Sequence, residues 1–149
     1  MLRLIYLLHR LYLFLLRPRT LGVRVMLIQD DKVLLIRQTY MEGWFMPGGG
    51  VKNGETLEQA ARREAREEVG AELLQLNLVG VYTNFVEWNN DHNILFMSKD
   101  FTWSGKHDRE IAEIRLFPLD NLPQDLWHGH RLRLEEYRAG IPFPPFGVW

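Results

Sequence analysis

Two periodicities run along the chain. Residues 1–16 (MLRLIYLLHRLYLFLL) are apolar except at Arg3, His9 and Arg10. Arg3, Arg10 and Arg17 recur every seven positions. At about 100° per residue, a seven-residue step returns to within about 20° of the same direction. The segment predicts an amphipathic helix carrying one narrow basic stripe on an otherwise apolar cylinder. From Leu21 the pattern changes to aliphatic and β-branched runs. Leu21–Ile28 and Val33–Arg37 flank the polar cluster Gln29-Asp30-Asp31-Lys32 and predict a hairpin. Tyr40–Gly54 holds five of the twelve glycines and one proline and reads as a loop, with a short strand around Trp44–Met46. Thr56 followed three residues later by Gln59 is a capping box, and the Ala, Glu and Arg positions through Val69 predict a helix ended by Gly70. Leu74–Val86, Asn93–Phe101 and Ile111–Phe117 predict strands, with Glu87–His92 as a polar turn. A last helix is expected from about Pro123 to Arg138 with Gly140 as its stop, and Phe143, Phe146 and Trp149 are expected to pin the proline-rich tail.

Composition narrows the classes. A chain of 149 residues, 46% hydrophobic and 25% charged, suits one globular domain, here residues 21–149, with residues 1–20 as an accessory helix. With no cysteine, thiolate zinc sites, cysteine nucleophiles and redox pairs drop out, and a reducing, cytoplasmic setting is expected. The net charge of −1 offers no electrostatic case for a nucleic-acid partner. The balance is uneven: residues 1–29 carry five arginines and no acid, which leaves −6 on the remainder. The first helix is too short to cross a bilayer, which takes about 20 apolar residues. Arg17-Pro18-Arg19 stands where a signal peptide would need small residues. Two readings remain: an interfacial helix on the inner face of an anionic membrane, or a helix packed on its own domain or a twin subunit.

The helix after the glycine loop carries the chemistry. With Glu64 as reference, Leu57, Ala60, Ala61, Glu67 and Glu68 all fall within about 60° of it, whereas Gln59, Arg62 and Arg66 lie opposite. Three carboxylates therefore share the apolar face and repel one another unless a cation lies among them. An all-oxygen set suits Mg²⁺ or Mn²⁺. The alternative is a glutamate-rich surface helix tied by Arg63 to Glu67.

Gly49, Glu55, Arg63-Glu64-Ala65, Glu67-Glu68 and Gly70-Ala71 stand at the spacing of a complete 23-residue Nudix box. Trp44, Pro47 and Gly48 resemble the usual lead-in, and Glu110–Pro123 is similar to a later part of the domain. The chain thus resembles the Nudix hydrolase family. That resemblance implies an α/β fold, an α/β/α sandwich around a mixed sheet, with the helix of residues 1–16 outside the common domain. It implies Glu67, Glu68 and the Gly48 carbonyl as metal ligands. Glu64 is implied as a ligand or as the base that activates water. Glu55 would stand behind them, and Arg63 would hold the glutamates by ion pairing. Glu110 is the choice for a further carboxylate, ahead of Glu113 and Glu87.

The implied reaction is substitution at phosphorus. A metal neutralises the diphosphate oxygens and lowers the pKa of a bound water. The substrate would be a nucleoside diphosphate linked to another group X, or a nucleoside triphosphate. Tyr40, Trp44, Tyr82, Phe85 and Trp88 are candidates to stack on a base, although aromatic residues in or beside strands are more often core. Ser98 and Ser104 lie in no Gly-x-Ser-x-Gly turn, there is no Gly-x-x-x-x-Gly-Lys loop, and His128 and His130, two apart, are expected at the surface. Two further readings stand beside the hydrolase: a Nudix fold kept as a catalytically silent nucleotide sensor or scaffold, and a membrane-peripheral hydrolase of a lipid-linked diphosphate.

Overall fold

The computed structural model of the protein describes residues 2–16, 19–85 and 90–149. The predicted hairpin forms from β1 (Arg19–Gln29) and β2 (Lys32–Gln38), paired antiparallel at Ile28↔Val33 and Gln29↔Lys32. Asp30 and Asp31 make the turn at φ 48° and 56°. Short polar residues tolerate this left-handed region, which matches the twist of the flanking strands. Beyond the turn, β2 continues on its other edge against β7 (Ile111–Pro118), also antiparallel. On the far side of β1, β5 (Asn90–Ser98) runs parallel to it. Next come β4 (Asn77–Asn84), antiparallel to β5, and β8 (Phe146–Val148), parallel to β4. The resulting mixed sheet has the order β7-β2-β1-β5-β4-β8.

Both faces of this sheet are covered, which is why its central strands read as nearly unbroken apolar runs. Val23, Val25 and Leu27 of β1, with Leu34 and Ile36 of β2, pack against Ala60, Ala61, Ala65 and Val69 of α2 (Leu57–Val69). Met26, Ile28, Val33 and Leu35 pack on the opposite side with Leu134 of α3 (His128–Arg138). Helix, sheet and helix stack as the expected three layers.

Several boundaries differ from the sequence reading. The strand expected from Leu74 starts only at Asn77, as β4, and it is preceded by a short strand that was not expected, β3 (Ala71–Leu73), which pairs with β6 (Phe101–Trp103) outside the main sheet. Leu74 and Gln75 are kept out of β4 because the Asp100 carbonyl accepts their N–H groups. The strand expected over Asn93–Phe101 is split into β5 and β6. Helix α3 begins five residues later than expected, because Leu126 is bridged to Trp44 and its N–H turns back to Pro123. Phe146 does not pin the tail, being 76% exposed. The tail is held by β8 pairing and by Trp149, whose indole lies so close to Gly129 that a Cβ there would come within 2.4 Å of it. His130 is buried, not at the surface, and its Nδ1 accepts the Met46 N–H at 3.2 Å.

The accessory segment is helical as expected, as α1 (Leu2–Leu16). Tyr6 meets the domain, its ring centroid 5.8 Å from that of Tyr40, while the leucines at positions 4, 7, 8, 11 and 15 are exposed.

Candidate active site

The site begins with how α2 is started and stopped. The Gln59 N–H donates to Thr56 Oγ1 (3.1 Å), and Gln59 Oε1 accepts from the Thr56 N–H (2.8 Å), so the capping box is reciprocal. Gly70 ends the helix at φ 65°. Ser104, Lys106 and the β3–β6 ribbon crowd that end, so a side chain there would collide as well as strain the backbone.

The glycine loop is placed by β1. Because β2 pairs with β1 only near the turn, the first half of that edge is taken by the loop. The Val23 N–H donates to the Gly49 carbonyl and the Val25 N–H to that of Pro47, each at 2.9 Å. Gly48 stands at φ 147°, where a Cβ would lie 2.1 Å from the Val23 oxygen. Its N–H donates to Glu68 Oε2 at 2.6 Å, and its carbonyl accepts from Arg24 Nη1 at 2.7 Å. At Gly49 a Cβ would come within 2.6–2.9 Å of the Glu64 carboxyl. Gly48 lets the loop press on the backbone of β1, and Gly49 lets it approach the acidic face of α2.

On that face the carboxylates divide by environment. Glu68 is 5% exposed. Burial, opposed by the Gly48 N–H and Arg24, pushes its pKa up to about 8. Glu64 is also raised, first by burial. Glu67 is exposed. Arg63 lies among them: its guanidinium grips Glu55 through both oxygens (2.7 and 2.9 Å), Glu64 (2.6 Å), Glu67 (3.1 Å) and the Gly50 carbonyl (3.0 Å). These five contacts match its five N–H donors. They raise the Arg63 pKa and hold Glu55 at about 2, chiefly through the hydrogen bonds from Arg63. Much of the cationic charge that three neighbouring glutamates require is therefore supplied by Arg63. Among the described residues, no three acidic or imidazole side chains converge into a metal cluster.

The loop before β7 completes the acidic set, and here the structure adds a residue that sequence reasoning missed. Asp108 lies in the field of Glu68, and its N–H donates to the Glu67 carbonyl at 3.0 Å. Glu110 is exposed and acts electrostatically on Tyr40, as Asp108 also does. Glu113 is paired with Arg115 on β7. Glu87 and Trp88 lie outside the described residues. Arg24 was also missed: it reads as a β1 residue, and only the loop's course along that strand brings it to Gly48.

Of the five aromatic candidates, four lie among the described residues. Of these, Tyr40 alone lines a cavity of about 630 Å³, together with Tyr6, Arg37, Glu42 and Asp125. Burial and the negative field of Glu110 and Glu68 push its hydroxyl up to about 12. Trp44 and Tyr82 correct the expectation of base stacking. Both are core residues, 3% and 0% exposed, with Trp44 edge-on to Phe117 and the Tyr82 hydroxyl donating to the Pro144 carbonyl. Strand side chains over a doubly covered sheet have no open face to offer. Phe85 is exposed at the end of β4, and the cavity lining does not include it.

The NUDIX domain profile matches residues 18–137. The chain is 30% identical over 112 residues to the protein named uncharacterized Nudix hydrolase YvcI of Bacillus subtilis (strain 168), covering 69% of this chain and 70% of that one. It is 33% identical over 134 residues to an ADP-ribose pyrophosphatase of Methanocaldococcus jannaschii, covering 87% and 76%. Among solved structures, a MutT NUDIX hydrolase from Burkholderia pseudomallei superposes with a TM-score of 0.72 at 26% identity, over 79% of this chain and 97% of that one. With the box on a capped helix, the glycine loop against it and the match spanning most of its length, the chain belongs to the Nudix hydrolase family and is an enzyme of that class.

Proposed function

We propose that the protein hydrolyses a diphosphate bond in a small nucleoside diphosphate derivative, or in a nucleoside triphosphate, with Mg²⁺ or Mn²⁺ held on the acidic face of α2. The observation that carries this reading is Glu68: a buried carboxylate that pays for desolvation and has no full cationic partner, beside the Gly48 peptide. The donors fit a hard divalent ion, because Glu64, Glu67, Glu68 and the Gly48 carbonyl offer oxygen alone, with no sulfur or imidazole among them. When bound, such an ion neutralises phosphate oxygens and lowers the pKa of a coordinated water.

The chain's own residues do the rest. Glu67 and Glu68 bind the ion, and Glu64, raised by burial, serves as a further ligand or takes the proton from the attacking water. Arg63 holds Glu55, Glu64 and Glu67 in register and keeps their charge balanced while no substrate is present. Asp108, whose N–H bonds the Glu67 carbonyl, joins Glu110 as a candidate for a late carboxylate. The recess at Tyr40 suits the nucleoside or the group X, with the aromatic ring as one wall. The name of the Methanocaldococcus relative, an ADP-ribose pyrophosphatase, supports a substrate of this class.

The test is phosphate release over nucleoside triphosphates, sugar nucleotides, dinucleotides and ADP-ribose with Mg²⁺ or Mn²⁺, with Glu67→Gln beside the wild type. Turnover of one class that is lost in the variant is expected. Binding of a nucleotide with no turnover above the variant would instead indicate a silent sensor.

A further inference from the structure

Helix α1 stands outside the matched domain, and apart from the edge at Tyr6 and Leu7 that walls the Tyr40 recess, the hydrolytic reading does not use it. Its exposed leucines at positions 4, 7, 8, 11 and 15, flanked by exposed Ile5 and Tyr12, occupy an arc of about 160° on a helix with 100° per residue. Tyr6, which meets Tyr40, stands about 180° from the middle of that arc. The helix therefore rests on the domain by one edge and turns a continuous apolar face outward. At 1.5 Å per residue its 15 residues extend about 22 Å. A face of that length exceeds the scattered single apolar residues that an ordinary surface tolerates.

Charge selects what covers it. Positions 3 and 10 share a stripe about 40° beyond the Leu7 edge of the arc, Arg10 and Arg19 are exposed, and no acidic residue precedes Asp30. A second copy laid antiparallel on this face would bring one arginine stripe toward another, and a parallel copy would leave each stripe without an acidic partner on the facing helix, which has none. A surface of anionic phosphate headgroups over hydrocarbon meets both features together: leucines below the headgroups, arginines among them. No described helix is long and apolar enough to cross a membrane, so the arrangement is one of lying on the surface.

We propose that α1 is a peripheral docking helix for anionic lipid bilayers, seated with the Leu8–Leu11 face in the acyl boundary and the arginines at the phosphates. Docking through this face leaves the Tyr6 edge on the domain, next to the recess that Tyr40 lines.

The test is co-sedimentation of the full chain with vesicles of phosphatidylcholine alone or with about 30% phosphatidylglycerol, alongside sedimentation velocity without lipid. Wild type is expected on the anionic vesicles and to weaken as salt rises. Leu8→Glu with Leu11→Glu is expected to lower partitioning by about tenfold or more, and Arg10→Gln by about fivefold. The Leu8/Leu11 variant should keep the wild-type melting temperature, because both side chains are exposed. Equal partitioning of wild type and the Leu8/Leu11 variant, or equal binding to neutral and anionic vesicles, overturns the proposal. So does a lipid-free dimer that the same variant dissolves while wild type ignores vesicles, which would assign the face to a second copy. Because the readout is partitioning, it stands or falls independently of hydrolysis.

Discussion

Glu68→Gln separates the cost of the site from its use. In the folded protein burial lifts the Glu68 pKa from 4.5 to about 8, so between those values the native state binds a proton that the unfolded chain has released. Stability therefore falls as pH rises through this window. From pH 5 to pH 7 the linkage integral for one such group is about 2–3 kcal/mol. Glutamine keeps the carbonyl oxygen that accepts the Gly48 N–H but cannot ionise. In the presence of a chelator, the stability of Glu68→Gln relative to wild type should rise by about 2–3 kcal/mol between pH 5 and pH 7, or about 5–10 °C in Tm for a domain of this size. Taking the difference between the two pH values cancels any fixed error in the isostere. Urea titrations at both pH values supply the free energies. Mg²⁺ should restore stability to the wild type at pH 7 and leave the variant unchanged, while the variant loses turnover. Parallel pH profiles for the two proteins would refute the reasoning, because they would mean that Glu68 is already ionised and balanced without a metal.

The two glycines should fail differently. Gly48→Ala places a Cβ 2.1 Å from the Val23 oxygen at φ 147° and should cost about 3 kcal/mol or more in denaturant titration, whereas Gly49→Ala meets only the movable end of Glu64 and should keep the fold while turnover drops about 10–100-fold. Arg63→Lys should lower turnover by about 10–100-fold with little gain over Arg63→Ala, because an ammonium cannot reproduce five fixed donors; activity near wild type for the lysine variant would show that charge alone suffices. His130 is held neutral by burial, well below its usual pKa. Stability should therefore fall as pH drops below about 6.5, with a slope of at most about 1.4 kcal/mol per unit, and His130→Gln should flatten that slope. The Glu68 effect has the opposite sign there, so each is read against its own variant.

What could be read from the sequence was whatever a local rule fixes. The Asp30-Asp31 turn, the Thr56–Gln59 capping box and the Gly70 stop are decided by residues within a few positions of one another, and they stand where the pattern put them. So does the grouping of Glu64, Glu67 and Glu68 with the alanines of α2, since helical periodicity depends on nothing outside the helix. The box spacing was legible for the same reason, and with it the family.

Tertiary structure decided whatever depends on which neighbour reaches a backbone or a side chain first. The Asp100 carbonyl takes the N–H groups of Leu74 and Gln75 and delays the expected strand to Asn77. Trp44 bridges Leu126 and delays α3. Trp44, Tyr82 and His130 are buried because the sheet is covered on both sides, and no alternation in the sequence distinguishes a doubly covered strand residue from one facing a ligand. Asp108 and Arg24 join the site only through the folding of a loop and the course of the glycine segment along β1. Spacing told which carboxylates share a face; burial and the reach of Arg63 decided that Glu68 alone would be left in a desolvated place without its full complement of charge.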